Sequence, residues 1–163
     1  MLPALLPWLS GGHAQILDRV LAMVSGQVIL ASDVRAFLDL GLHERGLWEV
    51  REQDADEREA AALNRLIERR LALDEVNRYR QAPPPPATVD RYLEAVRARF
   101  ADDGAFAAML AAVGLELEDL RQILQDDIRI QAYVAERLGG RGELVEDWIA
   151  GLLRRADVMR VDW

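Results

Sequence analysis

The chain has 163 residues, a size that suits one globular domain, and its composition of 51% hydrophobic and 29% charged residues excludes an intrinsically disordered protein. The formal net charge of −8 argues against a nucleic-acid-binding protein, because such proteins need a basic surface. Every Lys/Arg position is arginine, which indicates a bias in genomic base composition. The absence of cysteine excludes disulfides, thiolate catalysis and cysteine-ligated metals.

The N-terminal residues 1–14, MLPALLPWLSGGHA, form a short apolar run that ends in a small-x-small pattern. This ending resembles a signal-peptidase site before Gln15, although the basic start of a signal peptide is absent. The run is too short to span a bilayer. We interpret residues 1–14 as the remnant of a signal peptide, with an apolar tail that packs on the domain as the alternative. Residues 15–163 are expected to form a single domain.

A β-hairpin that leads into a helix is predicted next. Two runs rich in β-branched residues, Val20–Val24 and Val28–Leu30, are separated by Ser25-Gly26-Gln27, and Gly26 can adopt the positive φ that a two-residue turn needs. Ser32 is the predicted N-cap of the following helix, which should extend to about Leu40. A lone hairpin is marginal in water, so a third strand or a helical cover is needed.

The third strand is predicted at the end of the chain, in Asp157–Trp163. There Met159, Val161 and Trp163 alternate with their neighbours at the period of a half-buried strand. We therefore expect the two ends of the chain to meet in one small antiparallel sheet, with helices between them. The predicted fold class is mostly α.

The body of the protein is predicted to consist of five further helices. An acidic start at Asp54 and Asp56 opens the first of them, Pro83–Pro86 form a rigid corner after it, Thr88 caps the next helix, and Asp102-Asp103-Gly104 is a loop. The predicted helical segments are about 54–79, 88–100, Ala105–Val113, Leu117–Leu138 and Glu143–Arg155.

No combination of residues in the sequence supports catalysis. The two histidines are His13 and His43, so a metal site or a histidine-based triad would have to combine His43 with distant carboxylates. Asp102-Asp103-Gly104 lacks the alternating oxygen ligands of a calcium loop. Two acidic groups could supply paired carboxylates for acid–base chemistry, but both are more typical of surface charge: Asp126-Asp127, and the trio Glu116, Glu118 and Asp119. We predict that the protein is not an enzyme and binds neither a cofactor nor a metal.

Binding through apolar side chains is the alternative to catalysis. Methionine and aromatic residues suit a surface that accepts varied partners. Met23 and Trp148 have this character, although a place in the core is the alternative for every such residue. The candidate client-binding residues are Trp48, Tyr92, Phe106, Met109 and Leu110.

Four segments, taken in order, resemble one known family. Asp18–Val34 is similar to a first strand of the form DRVVAVVNGEVI, and Ala62–Leu71 is similar to a helix containing LIERLL. Gly114–Ile128 resembles a GLSYEELRQQI segment, and Trp148–Val158 resembles the ending WLEELRRRAYVEI. These are motifs of the SurA-type periplasmic chaperones, and the resemblance covers the chain from Ile16 to Trp163.

The resemblance implies an ATP-independent periplasmic chaperone that holds unfolded outer-membrane or envelope proteins in an apolar groove. In that family the first and last segments of the chain pack into one core module. Parvulin-type prolyl isomerase domains usually follow the position of Leu138, where this chain has Gly139–Gly142, so isomerase activity is expected to be absent. Glu116 stands where the family tends to have Ser or Thr as a helix N-cap. The implied partners are unfolded or extended polypeptides, with no nucleic acid and no stable membrane insertion.

A second hypothesis comes from a different functional class. The chain could be a non-catalytic interaction or assembly subunit that binds one specific partner. It could also form a homodimer, in which the C-terminal helix and strand exchange between protomers about the Gly139–Gly142 link.

Overall fold

The computed structural model describes residues 18–44, 46–79 and 81–161. Within these ranges the chain is mostly helical with one small antiparallel sheet, which confirms the predicted fold class. The predicted signal-peptide remnant, residues 1–14, and the predicted strand residue Trp163 lie outside the described residues. The elements are β1 (Val20–Val24), β2 (Gln27–Leu30), α1 (Ala31–Asp39), α2 (Ala55–Arg78), α3 (Pro86–Arg97), α4 (Asp103–Ala112), α5 (Leu117–Leu138), α6 (Gly142–Arg155) and β3 (Val158–Arg160).

The two ends of the described chain meet in a sheet of strand order β2-β1-β3, as predicted. Strand β1 is central, because Met23 lies opposite Val28 on one side and opposite Met159 on the other. Ser25 and Gly26 have φ of 50° and 80° and form the turn between β1 and β2. Positive φ at both central residues matches the right-handed twist of the two strands, so the turn favours the hairpin.

Helix α1 follows β2 without a loop, and the residues just before β1 bind its first N–H groups. The Arg19 carbonyl accepts from the Ala31 N–H at 2.8 Å, and the Asp18 carboxylate accepts from both the N–H and the hydroxyl of Ser32. The prediction of Ser32 as N-cap was wrong, because Leu30 occupies that position and Asp18 supplies the acceptor that a leucine lacks. The bond from the Ser32 hydroxyl holds the pKa of Asp18 below its ordinary value.

Two helices begin earlier than predicted. Helix α3 begins at Pro86, before the predicted cap Thr88, because a proline in the first helical position has a suitable φ and lacks only an N–H that would have had no helical partner. Helix α4 begins at Asp103, because Asp102 Oδ1 accepts from the Ala105 N–H at 2.8 Å. The predicted loop over residues 102–104 is therefore a capped helix start.

Two other helices match the prediction closely. Asp54 caps α2, since its Oδ1 accepts from the N–H groups of Asp56 at 3.0 Å and Glu57 at 3.2 Å. Helix α5 has the predicted bounds and ends at Gly139, whose φ is 60°. A glycine in this left-handed conformation ends a helix without the steric penalty that a Cβ would bring.

Two hydrophobic cores share helices α1 and α5. The first core lies among the sheet, α2, α6 and the C-terminal half of α5, and the second lies among α3, α4 and the N-terminal half of α5. Helix α1 contributes Val34 to the first core and Leu40 to the second, while α5 contributes Ile130 to the first and Leu120 to the second. These two shared helices therefore hold the two cores together.

A buried ion pair joins α2 to α5 near the point where α5 passes from one core to the other. Arg69 Nε donates to Asp127 Oδ1 at 2.6 Å, and Arg69 Nη2 donates to the Ile123 carbonyl at 3.0 Å. Burial raises the pKa of Asp127, and the Arg69 guanidinium opposes that rise. Removal of one partner would leave the other charge buried without compensation.

We expect the substitution Arg69→Met to lower the free energy of unfolding by about 3–5 kcal/mol, because the Asp127 carboxylate stays buried without its partner. The double variant Arg69→Met/Asp127→Leu should recover most of this loss, since both charges are removed together. Urea denaturation followed by circular dichroism at pH 7 measures both variants. Equal losses in the single and double variants would show that the ion pair is not what stabilises this contact.

Candidate functional site

The five side chains predicted to bind clients do not share one exposed surface. Trp48 is buried in the first core, and Phe106 and Leu110 are buried in the second. Tyr92 and Met109 are half-buried against the second core. In this conformation most of their apolar area stabilises the two cores, and a role in holding clients stays a prediction.

Three exposed apolar side chains form a continuous row on the outer face of the sheet. Val28, Met23 and Met159 are 42%, 38% and 61% exposed. They belong to β2, β1 and β3, and each lies directly opposite the next. Opposite residues of antiparallel strands project to the same face and lie close enough to touch. We call these three residues the outer row.

The inner face of the sheet explains why the outer row is exposed. Ala22 and Val24 have no exposed area, and Ile29 is buried beside them in the first core. Because side chains alternate along a strand, Met23 between Ala22 and Val24 must point away from that core. The apolar character of Met23 therefore contributes nothing to the buried side of the sheet.

The apolar alternation of Met159 with Val161 suggests that these residues form the buried face of the terminal strand. In the structure the other face is buried. Val158 lies opposite Val24 and packs against the first core, so Met159 points to solvent. Pairing with β1 decides which residues of β3 face inward, and both Val158 and Met159 are apolar. The alternation of Met159 with Val161 therefore does not mark the buried face.

Strand β3 presents an open edge beside the outer row. The Ser25 N–H donates to the Asp157 carbonyl at 3.1 Å, so the backbone of Asp157 points toward β1. Since these directions alternate along an antiparallel strand, the N–H and C=O groups of Val158 and Arg160 point away from β1. In the part of the chain that the structure describes, no strand lies beyond β3. Such an edge is a template for pairing with another extended chain.

A large cleft lies beside α1 and the C-terminal end of α4. It has a volume of about 710 Å³ and extends to Val113 and Gly114 at the end of α4. Arg19, Arg35 and Glu59 are among its lining residues. Because acidic and basic side chains are mixed along its walls, the cleft does not favour a ligand of either charge.

A smaller cleft lies where the two cores meet, and we call it the junction pocket. Its volume is about 150 Å³. Its walls include Ile29, Ala36, Phe37, Leu66 and Leu115, which come from β2, α1, α2 and the segment before α5. The pocket is therefore bounded by elements of both cores and by the edge strand β2.

His43, the histidine considered for metal binding or catalysis, has partners at both ring nitrogens. Arg58 Nη2 lies 2.8 Å from His43 Nε2, and a guanidinium can only donate, so Nε2 accepts. The ring proton is therefore on Nδ1, which faces the Phe37 carbonyl at 3.4 Å. Burial lowers the pKa of His43. With both nitrogens in use, the neutral imidazole has a structural role in the described protein.

The acidic residues considered for acid–base chemistry are engaged in ion pairs and helix starts. Asp126 Oδ1 accepts from Arg129 at 3.2 Å, and Asp127 belongs to the buried pair with α2. Asp119 Oδ2 accepts from the Glu116 N–H at 2.8 Å at the start of α5. Among the described residues, no group of three or more acidic or histidine side chains is placed to hold a metal ion.

Comparison of the sequence with models of known protein families finds no family that matches, and comparison with curated proteins finds no match. Over residues 18–44, 46–79 and 81–161, no helix has both the length and the apolar character needed to cross a bilayer. What the chain binds is therefore inferred from the outer row and the open edge of β3.

We expect the free energy of unfolding to depend on His43 between about pH 7 and pH 5. Burial lowers the pKa of His43 in the folded state, and the cations Arg58 and Arg99 oppose protonation while Glu44 favours it. The unfolded chain therefore binds a proton that the folded chain rejects. This contribution to stability is fully present above the unfolded pKa of about 6.5 and is lost as the pH falls below it.

The variant His43→Gln isolates this effect. Its amide can accept from Arg58 and donate to the Phe37 carbonyl, but it does not titrate. Urea denaturation at pH 7 and pH 5 should show a larger loss of stability in the wild type than in the variant. If the free energy of unfolding fell equally in the two proteins between pH 7 and pH 5, the pH dependence could not be assigned to His43.

Proposed function

We propose that this chain is a non-catalytic, ATP-independent holdase that binds unfolded or extended polypeptides in the periplasm. The observation that supports the proposal is the outer row lying beside the open edge of β3. An extended polypeptide that pairs with Val158 and Arg160 would gain backbone hydrogen bonds that do not depend on its sequence. Its apolar side chains would lie next to Met159 on the outer face.

The composition of the outer row suits varied clients. Met23 and Met159 have unbranched, polarisable side chains that can adapt to different apolar partners. Together with Val28 they offer an apolar surface without any charged residue in the row. Holding lowers the free concentration of aggregation-prone chain by binding alone, so the proposed function needs no nucleotide and no reactive residue.

The resemblance to SurA-type chaperones supports the same proposal. That resemblance implies a core module built from the first and last segments of the chain, and β1 and β3 make such an arrangement here. The chain also passes from α5 to α6 through residues 139–141, with no domain inserted at that point. The periplasmic setting and the choice of outer-membrane clients come from this resemblance alone.

The open edge of β3 can be tested with a proline. Arg160→Pro removes an outward N–H from the edge and leaves the hydrogen bonds of Met159 to β1 in place. We expect the wild type at equimolar dose, without nucleotide, to suppress light scattering from a urea-denatured outer-membrane β-barrel protein on dilution. The proline variant should need a roughly fivefold higher dose for the same suppression. The reason is that the net stabilisation from one backbone hydrogen bond, about 1 kcal/mol, corresponds to roughly a fivefold change in affinity.

Arg160→Ala is the matched control, because it removes the same exposed side chain and keeps the N–H. It should hold clients as the wild type does. If the wild type leaves the scattering unchanged, or if the proline and alanine variants behave alike, pairing at the β3 edge is excluded as the mode of holding.

The outer row can be tested independently of the edge. The double variant Met23→Ser/Met159→Ser should change the free energy of unfolding by less than about 1 kcal/mol, because both side chains project into solvent. It should nevertheless hold the denatured β-barrel protein several-fold less well in the same scattering assay. Leu117→Ser, which alters an exposed apolar residue of α5, is the control and should behave as the wild type.

The second candidate is an assembly subunit that self-associates, and the same open edge favours it. Helix α6 and β3 follow a link in which Gly139 and Gly140 both have positive φ, so exchange of this unit between two copies would require a change mainly in the link. Light scattering coupled to size-exclusion chromatography distinguishes the candidates. A stable dimer that leaves unfolded clients aggregating would favour assembly over holding.

A further inference from the structure

The junction pocket is built differently from the flat outer row. Ile29, Phe37 and Leu66 line it, and the first two are buried in the first core. Ala36, also in its wall, belongs to the second core and leaves room because its side chain is a single methyl group. The pocket is therefore a concave apolar site between two packed regions.

The size of the junction pocket decides which class of ligand fits it. Sites for cofactors and drug-sized molecules usually occupy roughly 300–1,000 Å³. The junction pocket measures about 150 Å³. An apolar cavity of roughly this volume in another protein holds one benzene molecule. A group the size of one phenyl ring is therefore the appropriate occupant.

The charges around the junction pocket favour a neutral occupant. Two arginines and two aspartates line it, so their formal charges cancel. Arg69 is paired with Asp127 at 2.6 Å, and Arg70 Nη1 donates to Gln27 Oε1 at 2.5 Å. Asp33 Oδ2 accepts a backbone N–H at the start of α1 at 2.8 Å. Since each charged group already has a partner, a charged ligand would gain little here.

We propose that the junction pocket receives one large neutral apolar side chain, with a phenyl ring preferred, from an extended polypeptide bound to this protein. The position of the pocket supports this occupant, because Ile29 belongs to the edge strand β2 and Arg70 bonds to Gln27 of the same strand. A chain that runs along β2, the edge of the sheet opposite to β3, would pass beside the pocket. The side chain would therefore come from a second segment of the client and not from the one that pairs with β3. The inference that a bound polypeptide supplies this side chain rests on the proposed holding function. The pocket itself can be tested with small probes.

The test is a titration of the ¹⁵N-labelled protein with N-acetyl-phenylalanine amide, followed by ¹H–¹⁵N NMR. Backbone amides of Ile29, Phe37 and Leu66 should shift. N-acetyl-alanine amide should bind roughly tenfold more weakly or worse, as expected when a large apolar group is removed from a pocket. The variant Ala36→Leu fills the pocket with its own side chain and should abolish the shifts. Ala111→Leu, at an exposed position lining the larger cleft, is the matched control and should keep them.

A second variant covers the case in which Ala36→Leu fails to fold. Leu66→Ala enlarges the pocket and should shift the preference from the phenylalanine amide toward N-acetyl-tryptophan amide. Equal binding of the phenylalanine and alanine amides to the wild type would overturn the proposal, as would shifts that neither variant changes. If the phenylalanine amide binds in the pocket but the denatured β-barrel protein still aggregates, the pocket is supported and the holding function fails. If the phenylalanine amide does not bind but the protein still suppresses aggregation of the denatured β-barrel protein, the holding function is supported and the pocket proposal fails.

Discussion

Backbone pairing between β1 and β3 is the contact on which the rest of the structure depends. It joins the N-terminal hairpin to the last described strand and turns β1 into the centre of the sheet. Ala22 and Val24 are fully buried as a result. The same register points Met23 and Met159 outward and leaves the far side of β3 unpaired. Stability and the proposed binding surface therefore arise from one set of hydrogen bonds.

The helices pack around two hydrophobic cores, and α1 and α5 contribute residues to both. Along α5, Leu120 and Leu124 face the second core, while Ile130 and Val134 face the first. Where the two sets meet, neither core fills the space with apolar groups alone. A paired arginine and aspartate occupy part of that space, and the junction pocket occupies another part. The site proposed for a side chain thus lies where the two cores join.

The fold could be predicted where its signals are local. Amphipathic spacing and Gly139 define α5, and Ser25-Gly26 defines the hairpin turn. The starts of α3 and α4 were missed because proline and aspartate are equally typical of loops and of first helical turns. Here Pro86 is the first residue of α3, and Asp102 is the N-cap of α4.

The candidate site could not be predicted in the same way, because exposure in this protein depends on contacts between distant parts of the chain. Whether Val158 or Met159 faces the core is decided by β1, which lies at the other end of the sequence. Trp48 and Phe106 were proposed as surface groups and instead complete the two cores. Met23 alone, among the apolar residues singled out for binding, belongs to the outer row.

The order of the strands also has a consequence for biosynthesis. A ribosome releases the hairpin long before it releases β3, so one side of β1 stays unpaired until helices α1 to α6 have also been made. Closing so long a loop carries an entropic penalty, and unpaired strand edges of partly made chains are prone to aggregation. The nascent protein therefore passes through a state that exposes the same kind of strand edge as the unfolded clients proposed for it.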